Sequence, residues 1–63
     1  MARYRCYFLG ENGQLVGAET IARENDEDAV AAARAQLAAR AYAVGFELRQ
    51  GSHLVSSEEI KVS

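Results

Sequence analysis

Sixty-three residues suffice for one domain and leave no room for a second, site-bearing one; a chain this size buries only about 60% of its unfolded surface, so a staple or a partner is expected to add stability. The formal net charge of −2 and sequence pI near 5.2 argue against a general nucleic-acid binder or a partner of anionic membranes, both of which need a basic excess. The lone cysteine, Cys6, excludes an intrachain disulfide, and with the single histidine, His53, it cannot complete a tetrahedral zinc site, which leaves oligomerisation as the staple.

A hydrophobic content of 49% with 25% charged residues is that of an ordinary folded chain. No apolar run approaches the roughly 20 residues of a membrane span, and the start at Met1 to Arg5 lacks the apolar core of a secretory signal. The expectation is a bacterial-type cytoplasmic protein with a reduced Cys6.

Arg3 to Leu9 alternates with a period of two in β-favouring residues, setting Tyr4, Cys6 and Phe8 on one face and Arg3, Arg5, Tyr7 and Leu9 on the other. Gly10-Glu11-Asn12-Gly13 is a strong turn signal and predicts a hairpin. A two-residue Asn12-Gly13 loop would set Cys6 against Glu19 and Phe8 against Gly17, placing a carboxylate on the core face. A three-residue loop with Gly13 left-handed sets Phe8 against Val16, Cys6 against Ala18 and Tyr4 against Thr20, and pairs Arg5 with Glu19. The second register is preferred. It makes Gln14 to Arg23 a strand with Val16, Ala18 and Thr20 inward and Leu15 and Ile21 on the far face.

Asn25 to Val44 predicts a helix, capped by Asn25 or Asp26 and headed by Asp26, Glu27 and Asp28, where the helix dipole favours negative charge. Arg34 and Arg40 fall toward its favourable C-terminal end. Val30, Ala33, Leu37, Ala41 and Val44 form one apolar stripe, and Gly45 reads as the stop. Phe46 to Gln50 resumes the strand alternation, with Phe46 and Leu48 inward and Glu47 and Arg49 outward. Gly51-Ser52 suits a two-residue turn into a last strand from His53 to about Ser56, with Val55 opposite Leu48, or Leu54 there if the loop has three residues. From about Ser57 the chain is expected to fray.

The order is ββαββ, an α+β fold: a four-stranded antiparallel sheet in the order 2-1-3-4 with one helix on one face. The residues Arg3-Tyr4-Arg5-x-Tyr7-x-Leu9, Gly13-x-x-Val16-x-Ala18-Glu19, the acidic cap before the Ala-rich helix, and Phe46-Glu47-Leu48-x-x-Gly51-x-x-Leu54-Val55 together resemble a group of short bacterial proteins. That resemblance implies the ββαββ unit and no chemistry. In the group's pattern Trp often stands where Arg49 does and Arg where His53 does, which touches only the reading of the surface.

No catalytic, cofactor or metal site is expected. Cys6 lies on a central strand, where a thiol is a small inert hydrophobe, and His53 sits beside a turn. The Asp26-Glu27-Asp28 cluster lacks the spread ligands of a calcium loop, and Gly10-Glu11-Asn12-Gly13 joins two strands where a phosphate loop would enter a helix. The open face of the sheet is the candidate surface. There Arg5, Tyr7, Leu9, Leu15, Ile21, Glu47 and Arg49 are expected together, with Leu54 beside them and Arg3 and Glu19 in the frame. Apolar residues flanked by charges suggest a contact surface for a homodimer or a small protein-interaction module, by face or by edge-strand addition. The alternative is weak binding of single-stranded nucleic acid, with Tyr7 stacking a base and Arg3, Arg5 and Arg49 meeting phosphate, opposed by Glu19 and Glu47.

Overall fold

Strand-forming residues at both ends of the chain flank one alanine-rich helix, and the computed structural model, which describes residues 1–59, arranges them as β1 (Ala2–Leu9), β2 (Leu15–Arg23), α1 (Asp26–Ala38), β3 (Gly45–Gln50) and β4 (His53–Glu59). All neighbours pair antiparallel in the order β2-β1-β3-β4, so the two hairpins meet through β1 and β3 at the centre. α1 covers one face. β4 continues through Ser57 to Glu59, past the point where fraying was expected, and the rest of that expected tail, 60–63, lies outside the described residues.

The first hairpin corrects the expected register. Gly10 donates its N–H to the Gln14 carbonyl at 2.8 Å and Gly13 has a φ of 76°, so the three-residue loop is present. Beyond it the ladder shifts by one, from Leu9 opposite Leu15 to Phe8 opposite Gly17, with Val16 as the extra residue of a bulge. From there Cys6 faces Glu19, Arg5 faces Thr20 and Tyr4 faces Ile21. Val16 still packs on the core, whereas Ala18 and Thr20 stand opposite Tyr7 and Arg5 on the outer face and Ile21 is buried inside. Magnitudes decide this outcome. Burying Ile21 stabilises by about 1.5–3 kcal/mol, against a few tenths from the cross-strand Arg5–Glu19 pair that the other register would have made.

The second hairpin repeats the device. Gly51, at φ 61°, and Ser52 form a two-residue loop that pairs Gln50 with His53 and Arg49 with Leu54. A shift then leaves Val55 as the extra residue and sets Ser56 opposite Leu48, so neither Val55 nor Leu54 holds that place.

Asn25 caps α1, its side chain accepting from the Asp28 N–H at 2.8 Å, and Asp26, Glu27 and Asp28 fill the first turn. The helix ends at Ala38, well short of Val44, and no basic residue occupies its last turn. Ala29, Ala33 and Leu37 make the buried stripe; Val30 is only half-buried and Ala41 is exposed. Arg40 and Ala43 continue as tight turns, and by Val44 the backbone has joined the sheet, donating to the Leu9 carbonyl at 2.8 Å. Gly45 is therefore a strand residue and no helix stop. A Cβ built there would lie 2.6 Å from the Glu58 carbonyl oxygen, so glycine is what lets β3 and β4 approach.

The core comprises Tyr4, Cys6, Phe8, Ile21, Ala29, Ala33, Leu37, Ala43, Phe46 and Leu48. Two ion pairs hold its rim. Arg40 lies over the Phe8 ring, 4.3 Å from its centroid, and meets Glu19 at 2.9 Å, which is how β2 carries a carboxylate on the core side. Arg34 of α1 grips Glu58 of β4 at 2.7 Å. At the helix start, the Tyr4 hydroxyl donates to Asp26 Oδ1 at 2.6 Å.

Candidate contact face

Opposed residues of an antiparallel pair share a face, so the ladders give the composition of the uncovered side row by row. One row reads Thr20, Arg5, Arg49, Leu54 across β2, β1, β3 and β4. The next reads Ala18, Tyr7, Glu47, Ser57, and the last Leu15, Leu9, Gly45, Glu59. Arg3 and Ala22 lie beyond the first row, toward the start of β1.

The alternation of β1 places Arg5, Tyr7 and Leu9 here because Tyr4, Cys6 and Phe8 are claimed by the core. Tyr7, Leu9, Glu47 and Arg49 are half-buried by their neighbours, while Leu15 and Leu54 are 59% and 46% exposed. Arg49 donates through Nε to Glu47 two residues away on β3. Arg5, directly across from Arg49, reaches only the Thr20 hydroxyl, at 3.4 Å.

The structure thus brings Arg5, Tyr7, Leu9, Leu15, Glu47 and Arg49 onto one face, with Leu54 at its edge. Ile21 does not belong there: it is 6% exposed, opposite Tyr4 in the core. Glu19 is likewise on the helix side with Arg40. Both corrections follow from the bulge at Val16, which turns every later residue of β2 over. Ala18 and Thr20 take their places on the open face, and no local signal in the sequence announces the exchange.

Cys6 is fully buried and its thiol is pushed up to about 11, chiefly by burial, with Arg40 pulling the other way. His53 is exposed at the start of β4. Among the described residues no three His, Cys, Asp or Glu side chains gather to hold a metal, and no helix is long and apolar enough to cross a membrane. A pocket of about 80 Å³ opens between Leu9, Gly10, Val44 and Glu58, small beside the roughly 300–1,000 Å³ of ordinary ligand sites. No protein-family model, curated protein or solved structure matches the chain.

Proposed function

We infer that the chain is a non-catalytic contact module whose working surface is the uncovered face of its sheet. The observation that carries this reading is the face itself: Tyr7, Leu9, Leu15 and Leu54 stand among Arg5, Glu47 and Arg49, and no described element packs over them. Strand addition at an edge is less well supported, because both outer strands are bulged, β2 at Val16 and β4 at Val55, and bulged edges pair poorly with a further strand.

A second reading has one observation in its favour. With Glu19 turned to the other side, Arg5 and Arg49 stand together beside Tyr7, an arrangement suited to a phosphate and a stacked base. Glu47 next to Tyr7 and the net charge of −2 weigh against it.

The test is a photo-crosslinking residue, p-benzoylphenylalanine, placed at Ala18 on the open face or at Ala35 on the exposed side of α1, in cells expressing the chain. A discrete adduct is expected from Ala18, absent from Ala35, and lost when Leu15→Lys is added without change in circular dichroism. No adduct from Ala18, or equal adducts from both positions, overturns the contact reading; an adduct removed by nuclease favours the second one.

A further inference from the structure

Resting on the contact-face reading, we propose that the partner is a second copy of this chain, seated face to face about a two-fold axis that runs across the strands. The argument is charge complementarity at the centre of the face. There β1 and β3 place Arg5 beside Arg49 in one row and Tyr7 beside Glu47 in the next. An axis along the strands, between β1 and β3, reverses the strand order and lays Arg5 of one copy over Arg49 of the other, twice. Four guanidinium groups then meet at the middle of the interface, where like charges are most costly.

An axis across the strands, between those two rows, keeps the strand order and exchanges the rows. Arg5 then lies over Tyr7 of the second copy, a cation over an aromatic ring, and Arg49 lies over Glu47. Each contact occurs twice, as an isologous interface requires. The in-chain pair of Arg49 with Glu47 becomes part of a four-membered array in which positive and negative groups alternate. Outside this centre, Arg3 falls over Leu9, Ala22 over Leu15 and Thr20 over Ala18, so no like charges coincide. Aligned sheets pack about 10 Å apart and cross at about −30°, and a rotation of that size leaves the residues nearest the axis in place.

The distribution of acids supports the same partner. Asp26, Glu27 and Asp28 head the helix, and Glu19 and Glu58 are held by Arg40 and Arg34 on the helix side. The chain's negative excess therefore sits away from the face that two copies would bring together. Tyr and Arg at the centre of a patch are also the residue types that dominate binding energy in protein interfaces.

Sedimentation velocity of the full chain with Glu47→Arg and Arg49→Glu variants tests the proposal. The unsubstituted chain is expected to dimerise, each variant alone to dissociate at least tenfold more readily, and an equimolar mixture of the two to recover association. In the mixed pair every Arg at these positions faces a Glu. Should either reversal lose its circular dichroism, Glu47→Gln and Arg49→Gln supply milder variants, each expected to weaken association at least fivefold. Tightening by Arg49→Glu alone would place the axis along the strands and overturn the proposal. A chain that is monomeric at every concentration, yet forms an Ala18 adduct of some other mass, overturns the second copy as partner and leaves the contact reading standing. Absence of any adduct removes both.

Discussion

Cys6 has no exposed surface, and its thiol is shifted up to about 11 by the loss of water around it. The shift has a sign for stability. A thiol whose folded value is raised adds stability that is complete below its ordinary value of 9.0 and is lost as pH rises toward about 11. Tyr4 acts in the same direction, since its hydroxyl donates to Asp26 and its ionisation is pushed upward by that bond. The chain should therefore lose stability on the alkaline side of pH 9, checked by melting temperature against pH. At pH 8 Cys6 should react with an aromatic disulfide reagent at the rate of unfolding, and at once in denaturant. Fast reaction of the native chain would contradict the buried, protonated thiol.

At the scale of elements, β3 and β4 touch most closely at Gly45, where an added Cβ meets backbone atoms, the Glu58 carbonyl oxygen at 2.6 Å and Glu59 Cα at 3.2 Å. Neither can rotate away, so Gly45→Ala must push the two strands apart and should destabilise by about 1–3 kcal/mol, read from denaturant melts. The role of this glycine was hidden in the sequence, where the alanine run before it made a helix stop the natural reading. Local pattern did reveal the strands, a helix start at Asn25 or Asp26 and the three-residue length of the first turn, because each is decided by a few adjacent residues; the second turn stayed open between two residues and three. The bulges at Val16 and Val55 were not legible. The one at Val16 goes with contacts distant in sequence, Ile21 against Tyr4 and Arg40 against Glu19, and no count of alternating positions includes those contacts. The helix end was misread for the same reason: Val44 fits a helical stripe but is drawn into the sheet by the Leu9 carbonyl.

Over the whole molecule, most of the candidate face was visible from the alternation of β1 and β3 alone, as Arg5, Tyr7, Glu47 and Arg49 stay where a period of two puts them. β2 was the strand that changed. Its bulge removed Ile21 and Glu19 from the face and made it both less apolar and less acidic. The side covered by α1 holds Asp26, Glu27, Asp28, Glu19 and Glu58 against Arg34 and Arg40, and the side opposite holds Arg3, Arg5 and Arg49 against Glu47 and Glu59, so the net charge is polarised across the sheet.

The alanines of α1 have a calorimetric consequence. A helix that meets its sheet through Ala29, Ala33 and Leu37 buries little hydrocarbon, and the heat capacity of unfolding measures chiefly the hydrocarbon that becomes wet. An average chain of this length would show about 0.8 kcal/mol/K. The dissociated chain should fall at or below that value, with a shallow stability curve and a broad melt. Scanning calorimetry across a range of concentrations would then register any covering of the open face as an increment of heat capacity above what this core can supply.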